Sequence, residues 1–357
     1  MKDMLLLLML GGWLAACAPA PSEPPTGPGV EQLAARPLIV ESARACLSAE
    51  ENPLAATPDA AAMAFAAGLW RIESQRAAGL FGAAEPEESR ALANIQPVLK
   101  GNGYVEYLTG RWDGELFLQT NFWGAVGSLQ RWTTVETNTA HNSLNSLRGD
   151  FNASRGFSLA GEMFGERVEL RLTNIQADSF DWLLYLRGAD EPAWTRHYTR
   201  LADRAELEAL LPEVLAGLEG FEAPEAMQPL SFLHGGWDWI EHHVETEGDC
   251  AAGQALVQWV NGGTAQEERV HSAYDPEVVN APLYTDYSLT IWNEEAGAFQ
   301  TAWWTTGAIL PRLSEGVCEV VDGAKQCTLR AVFKPSEDEN YIEWTTQGFT
   351  IEWLRQE

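Results

Sequence analysis

The chain has 357 residues and a formal net charge of -28 at pH 7, and its calculated pI is about 4.5. Nucleic acids and anionic membrane surfaces are recognised by clustered Lys and Arg side chains, so this composition argues against both as partners. An acidic, solubilising surface is enough to explain the charge.

The N-terminus contains a secretory signal and a lipid-attachment site. An apolar run covers residues 5–10, and Leu14-Ala15-Ala16-Cys17 follows it. A run this short is typical of a signal peptide and not of a membrane span. Leu-Ala-Ala-Cys resembles the lipobox of bacterial lipoproteins, which implies cleavage after residue 16 and acylation of Cys17. Ala18 replaces the Asp that resembles an inner-membrane retention signal, so we expect an outer-membrane lipoprotein facing the periplasm or the exterior.

The next two segments are predicted to be a tether and a helical region. Residues 17–38 are rich in Pro and poor in large apolar side chains, which is typical of a semi-extended spacer. Residues 39–103 are predicted to be helical, because Thr57-Pro58-Asp59 is a helix-start pattern and Met63, Ala66, Ala67 and Trp70 follow at helical spacing. A second helix is predicted from Glu85 to Leu99.

Two similar stretches predict two similar barrels. Leu108-Thr109-Gly110-Arg111-Trp112-Asp113 and Leu233-His234-Gly235-Gly236-Trp237-Asp238 both read L-x-G-x-W-D. Each opens a block in which apolar and polar residues alternate, as in half-buried strands. The blocks cover residues 104–201 and 227–357, with a helical connector at 202–226, and each is long enough for a closed antiparallel barrel. We therefore predict a mainly β fold with two tandem barrels.

The ends of the blocks carry a family resemblance. Each block opens with G-x-W and closes with an aromatic-x-Arg sequence, Tyr198-Thr199-Arg200 or Trp353-Leu354-Arg355. This pattern resembles lipocalins and related calycins, and it is similar to uncharacterised lipocalin-like families of bacterial envelope proteins. The resemblance implies a structural role in which Arg200 packs over Trp112, and Arg355 over Trp237, to close one end of each barrel.

Four cysteines follow Cys17, which permits three disulfide pairings. Cys318 and Cys327 are symmetric about Asp322-Gly323, a residue pair preferred in two-residue hairpin turns. Counting outward from the turn places them opposite each other in a non-hydrogen-bonded pair, close enough for a disulfide. Cys46 and Cys250 are left either to pair with each other or to be free buried thiols.

The residues with possible chemistry are concentrated in the second block. Glu241 and His243 would share one face of a strand and could act as metal ligands or as a general acid and base, but no motif completes a site, so no metal or other cofactor is predicted. His197, beside Arg196 and Arg200, could bind an anion. The tryptophans of the second block either fill the barrel or line an apolar pocket; the candidate wall residues are Trp237, Trp259, Trp303 and His243.

These observations leave three functional hypotheses in order. The first is an envelope lipoprotein that binds a small apolar ligand in the second barrel. The second is a non-catalytic interaction or structural module that presents its acidic surface to envelope proteins. The third is an enzyme that uses the Glu241/His243 strand face.

Overall fold

The computed structural model describes residues 61–83, 85–112, 114–126, 131–141, 143–152, 156–201, 206, 209–210, 223–243, 250–274, 285–305, 312–321, 324–329, 331–336, 338–346 and 349–355. They form two closed antiparallel β-barrels of ten strands each. Barrel 1 consists of β1 (Gly68–Arg76), β2 (Glu87–Val98), β3 (Gly103–Trp112), β4 (Glu115–Val126), β5 (Arg131–Asn138), β6 (Asn145–Asn152), β7 (Gly156–Met163), β8 (Glu166–Thr173), β9 (Ser179–Leu186) and β10 (Trp194–Arg200). Barrel 2 consists of β11 (Gly235–His243), β12 (Cys250–Val260), β13 (Ala265–Tyr274), β14 (Thr285–Asn293), β15 (Ala298–Thr305), β16 (Arg312–Val321), β17 (Ala324–Thr328), β18 (Val332–Pro335), β19 (Tyr341–Thr346) and β20 (Phe349–Arg355). The prediction of a mainly β chain with two tandem barrels is confirmed.

Each barrel closes because its first strand pairs with its last. β1 pairs with β10 and β11 with β20, while all other pairings join neighbours in the chain. Closure pairs the two strands that would otherwise form the edges of the sheet. The alternation seen in the sequence has its expected meaning in β9, where Phe180, Trp182 and Leu184 are buried and the residues between them are partly exposed.

The prediction of helices across residues 39–103 is wrong from Gly68 to Val98, which forms β1 and β2. Trp70 and Ile72 alternate with Arg71 and Glu73 along β1, a strand pattern, but an Ala-rich stretch with helical spacing precedes them. β2 is buried without interruption from residue 91 to residue 95, and a strand covered on both faces cannot be distinguished from a buried helix by periodicity. Closing the ten-stranded sheet outweighs the local helix propensity here.

Other predicted segments lie partly or wholly outside the described residues. These are the signal peptide at 1–16, Cys17, the tether at 17–38, the part of the helical region before residue 61, and Cys46. Within the connector, Glu206 and residues 209–210 are helical, and Glu225–Leu233 is a 3-10 helix that enters barrel 2. The helices seen in the described part of the chain are too short or too polar to cross a bilayer.

The two barrels pack through the outer faces of β3–β5 and β13–β15. Phe122 of β4 stacks on Tyr287 of β14, with ring centroids 4.9 Å apart and planes 15° apart. The centroid of the Phe122 ring also lies 3.8 Å from the centroid of the Trp304 ring. Phe122 and Tyr287 are fully buried, so the surface between the barrels is a continuous apolar core.

A buried carboxylate fixes the centre of this interface. Glu267 of β13 accepts hydrogen bonds from Gln258 Nε2 at 2.7 Å and Arg269 Nε at 2.8 Å. Across the interface it also accepts the hydroxyl of Tyr107, and Tyr287 donates to it at 3.1 Å. A buried charge is tolerated only when it is paired and hydrogen-bonded, so this set of partners specifies how the barrels fit together.

A turn from each barrel docks on the other barrel. Asn261, in the turn between β12 and β13, accepts a hydrogen bond from Thr120 Oγ1 at 2.9 Å and donates to the carbonyl of Thr137 at 3.1 Å. The corresponding turn of barrel 1, Leu99–Gly101, contacts β14. Leu99 and Asn261 have the same left-handed backbone, with φ of 52° and 49°.

Phe122→Ala tests the packing between the barrels. Removing a buried Phe ring costs about 3–5 kcal/mol, and we expect the midpoint of urea unfolding to fall accordingly. Leu256→Ala is the control, because Leu256 is exposed on β12 and its truncation should change the unfolding free energy by less than about 0.5 kcal/mol. Equal effects of the two substitutions would contradict the packing described here.

Candidate functional site

Arg355 closes the lower end of barrel 2, the end at which the chain enters β11. Its guanidinium lies 4.4 Å from the centroid of the Trp237 ring. Nη1 donates to the carbonyl of His234 at 2.6 Å and Nη2 to that of Phe232 at 2.8 Å. Trp237 Nε1 donates to the carbonyl of Leu233 at 2.7 Å. One Arg therefore ties the entering 3-10 helix to the first and last strands, as the lipocalin resemblance implies.

Barrel 1 has the same closure, but its tryptophan is Trp70 and not Trp112. Arg200 lies 4.2 Å from the Trp70 ring centroid, and its Nη1 donates to the carbonyl of Ala67 at 2.7 Å. Trp70 Nε1 donates to the carbonyl of Ala66 at 2.7 Å. The expected Trp112–Arg200 pair is wrong, because Trp112 ends β3 and barrel 1 begins with Gly68-Leu69-Trp70. The sequence contains this G-x-W, but it lies inside the segment that was interpreted as helix.

The glycine of each closing motif is required by sterics. Gly68 and Gly235 have φ of +136° and +130°, a region that side chains rarely adopt. A Cβ atom at Gly68 would lie 2.3 Å from Nη1 of Arg200, and one at Gly235 would lie 2.8 Å from Nη1 of Arg355. Both glycines therefore make room for the guanidinium.

The hairpin disulfide forms as its register predicts. Cys318 and Cys327 are opposite each other on β16 and β17, with Cα atoms 4.0 Å apart, and their sulfurs are bonded. Cys250 begins β12 opposite His242. Its pairing with Cys46 stays a prediction, because Cys46 lies outside the described residues.

The lower half of barrel 2 is packed and partly polar. The cavity beside Glu268 and Trp353 admits about 10 Å³ of water-accessible volume, which is room for about one water molecule. Ser288 donates to Glu268 Oε2 at 2.9 Å, and the hydroxyls of Thr290 and Thr301 are 2.9 Å apart. This end of the bore is therefore filled by side chains that bond to one another.

The four proposed ligand-wall residues do not share one place. Trp237 belongs to the Arg355 closure, and Trp259 stacks near it against His234 with centroids 6.0 Å apart. Trp303 lies on β15, where the guanidinium of Arg312 is 4.8 Å from its ring centroid. His243 ends β11 opposite Phe349, and Glu241 is opposite Ile351. Across the described residues, no group of three or more His, Cys, Asp or Glu is positioned to hold a metal ion.

The interior of barrel 1 contains a buried polar cluster that sequence reasoning missed. Glu106 of β3 is 1% exposed, and it accepts hydrogen bonds from the Tyr198 hydroxyl at 2.7 Å and from Asn121 Nδ2 at 3.4 Å. Burial raises the pKa of Glu106, and the positive charge of Arg196 offsets only part of that rise. These residues come from β3, β4 and β10, so no local sequence pattern predicts the cluster.

Arg196 is the cation of this cluster. Its guanidinium lies between the rings of Trp182 and Trp194, at 4.5 and 4.1 Å from their centroids, and Nη2 donates to Gln119 Oε1 at 2.9 Å. A second carboxyl, Glu136, accepts Asn138 Nδ2 at 3.1 Å. Burial raises the pKa of Glu136 to about 7 although Arg196 acts against it. Two carboxyls thus share one guanidinium.

The polar cluster is enclosed at both ends. Below it, Met63 and Ala66 are buried beside the Arg200 closure. Above it, Leu80 is buried and the Phe81 ring packs 4.8 Å from that of Phe164. The cavity beside Arg196 admits about 20 Å³, room for one or two water molecules at most. We interpret the cluster as a structural device and not as a substrate site.

A groove lined by described residues lies on the outer face of barrel 1 and has a volume of about 830 Å³. Asp181, His197, Glu73 and Arg90 cross it as register neighbours on β9, β10, β1 and β2. His197 Nδ1 is 2.6 Å from Asp181 Oδ1, and Asn174 donates to the other oxygen of Asp181 at 2.5 Å. His197, Arg196 and Arg200, which could have formed an anion site, are not brought together, because the Arg196 guanidinium lies by Trp182 and Trp194 in the bore and Arg200 closes the barrel.

Comparisons with known proteins do not assign a family. No protein-family model matches the chain, and no curated protein matches it in sequence. Among solved structures, it is similar to a protein of unknown function of the DUF3598 family from Nostoc punctiforme, with 9% identity, 84% of this chain and 99% of that chain covered, and a TM-score of 0.22. A putative AttH from Nitrosomonas europaea shows 10% identity over 87% of this chain and 98% of that chain, with a TM-score of 0.14. These TM-scores are too low to support an argument about fold or function.

Glu136→Gln tests the charge state of the bore. The Glu136 carboxyl has a pKa of about 7 when folded, against 4.5 ordinarily, so the folded state holds a proton that the unfolded state releases. The stability that depends on this proton is fully present below pH 4.5 and is lost as the pH rises through about 7. In the unsubstituted chain, the unfolding free energy should therefore decrease by on the order of 3 kcal/mol over this pH range. We expect Glu136→Gln to abolish this decrease.

The matched control is Glu162→Gln, because Glu162 is exposed on β7. Its pH profile should follow that of the unsubstituted chain. If Glu136→Gln also leaves the profile unchanged, the buried carboxyl does not hold the proton.

Proposed function

We propose that this chain is a non-catalytic interaction module of the bacterial cell envelope, bound to the outer membrane through acylated Cys17. The observation that carries this proposal is the packing of barrel 1 and of the lower half of barrel 2. Two interior cavities lined by described residues there admit about 10 and 20 Å³, far below the roughly 300–1,000 Å³ of ligand pockets. Recognition is then left to the outer surface.

The proposed localisation in the cell envelope is based on the N-terminal sequence. The apolar run and Leu14-Ala15-Ala16-Cys17 support secretion and acylation, while residues 17–38 supply a spacer. The paired cysteines of the β16–β17 hairpin agree with an oxidising compartment. The barrels would then stand on a lipid tether, with envelope proteins as their partners.

A second candidate function is the binding of a small apolar ligand at the upper end of barrel 2. The observation in its favour is the position of Trp303. Trp303 lies on the same face of β15 as Phe299 and Thr301, which face the bore. Its strand partner Arg312 lies at the end of the barrel away from the Arg355 closure. An enzyme acting through Glu241 and His243 stays a third hypothesis, because the structure gives only the strand register of these residues.

The test is native mass spectrometry and cross-linking of the full-length chain in bacterial envelopes. We expect an acylated chain that carries no small apolar molecule and that cross-links to a discrete envelope protein. Cys17→Ser should release the chain from the membrane fraction and reduce that cross-link.

A retained apolar molecule that is lost on Trp303→Ala would favour the second candidate over the first. Trp259→Ala is the matched control, because Trp259 packs at the closed end of barrel 2 and should leave such a molecule bound. A chain that enters the soluble fraction with Cys17 unmodified would contradict the lipid tether.

A further inference from the structure

Exposed apolar side chains are concentrated on one strand of barrel 2. Among the described residues, Leu313, Val317, Val320 and Val321 of β16 are large, apolar and exposed, by 61%, 43%, 73% and 39%. Leu256, on β12, is the one other such residue in the described ranges. Single exposed apolar residues are ordinary, but several on one strand indicate a binding surface.

The row has the period of a strand face. Leu313, Val317 and Val321 lie on the same side of β16 because residues two apart along a strand share a face. Glu315 and Glu319 lie between them on that face. The surface therefore alternates apolar and acidic side chains along its length.

The end of the β16–β17 hairpin projects beyond its neighbours. The pairing of β16 with β15 extends to Gly316, whereas its pairing with β17 continues to Val321. On the other side, β17 pairs with β18 only at Cys327 and Thr328. Beyond Gly316, β16 therefore has no paired strand on its β15 side among the described residues, which accounts for the high exposure of Val320.

Two features hold this projecting hairpin in one conformation. The Cys318–Cys327 disulfide crosses its base, and the Lys325 ammonium lies 4.6 Å from the centroid of the Phe232 ring. This covalent link ties the hairpin to the core of barrel 2, because Cys327 is fully buried there and Cys318 packs against the same cluster. Preorganising a surface in this way lowers the entropy lost on binding.

The charge of the row indicates the kind of partner. Glu315 and Glu319 accompany the apolar side chains on a chain of net charge -28, so a second copy or an anionic membrane would be repelled. An extended segment matches this surface in period and charge when apolar and basic side chains alternate along one of its faces, that is, at every second residue.

We propose that the outward face of β16, from Leu313 to Val321, docks an extended segment of a partner protein in which apolar residues alternate with Lys or Arg along one face, at every second position. This proposal rests on the interaction function proposed above and identifies the surface that performs it.

The test uses the full chain and fluorescent peptides as long as the ten residues of β16. One peptide repeats Val-Ser-Lys-Ser, which places Val and Lys alternately on one face (the Val-Lys peptide). A second repeats Ser-Ser-Lys-Ser (the Ser-Lys peptide), and a third repeats Val-Ser-Glu-Ser (the Val-Glu peptide). We expect the Val-Lys peptide to bind most tightly in fluorescence anisotropy. The Ser-Lys peptide keeps the charge but lacks the apolar contacts, and the Val-Glu peptide meets repulsion.

Matched variants locate the site. Leu313→Ser and Val317→Ser should each weaken Val-Lys binding by about tenfold or more, while Leu256→Ser, equally apolar and exposed, should have no effect. Glu319→Gln should weaken binding severalfold and reduce its salt dependence. Reducing the disulfide should weaken binding by loosening the hairpin, and a urea unfolding curve for each sample verifies that the barrels remain folded.

Several outcomes would overturn the proposal. Equal binding of the Ser-Lys peptide would show attraction by charge alone, and an equal effect of Leu256→Ser would place binding elsewhere. Self-association that is lost in Val317→Ser would assign the face to a second copy, and binding to phosphatidylglycerol vesicles that is lost in the same variant would assign it to a membrane.

The envelope cross-link separates this proposal from the one on which it rests. If the cross-link persists in Leu313→Ser and Val317→Ser, the interaction function stands and this surface is not its site. If the unsubstituted chain forms no cross-link and retains an apolar molecule in barrel 2, the interaction function itself fails.

Discussion

Both barrels depend on one Arg that supplies hydrogen bonds where the sheet can no longer do so. At the lower end of each barrel the entering chain leaves carbonyls without strand partners, and unpaired buried backbone groups are costly. Arg200 and Arg355 donate to these carbonyls, and each also reaches the carbonyl of a neighbouring turn, at Ala177 or Glu339. The Trp ring beneath each guanidinium fills the end of the bore. First strand, last strand and entering chain are therefore joined through one side chain.

The contact between the barrels is made by equivalent elements of each barrel. The turn after the second strand of each barrel docks on the fourth strand of the other, and the fourth strands meet at the Phe122–Tyr287 stack. This reciprocal arrangement has the character of a two-fold interface between identical subunits, in which one surface patch serves both partners. The contact between the two barrels of one chain thus resembles the contact that a barrel homodimer would make. The hydrogen bonds of Glu267, which come from barrel 2, are added to it.

The sequence was informative where local rules decide the outcome. Hairpin geometry predicted the Cys318–Cys327 bond, and the G-x-W and late Arg predicted the closure at Trp237. It failed for residues 68–98, because the Ala-rich stretch before Gly68 and the uninterrupted apolar character of β2 both indicated helix, and these residues form strands only in the closed ten-stranded sheet. That error concealed Trp70 as the partner of Arg200. The polar cluster of barrel 1 was equally out of reach, since Glu106, Glu136 and Arg196 meet through a register that no local pattern encodes.

The two buried charged centres are connected through β3, where consecutive residues point in opposite directions. Glu106 enters the polar cluster of barrel 1, and Tyr107 reaches Glu267 between the barrels. A shift of β3 by one residue would exchange these positions and leave carboxylates unpaired on both sides, which the cost of buried charge forbids. The register of barrel 1 and the docking of barrel 2 are therefore set together. The β16–β17 hairpin extends from this packed pair of barrels, and its disulfide preorganises it, so less conformational entropy is lost when a partner binds.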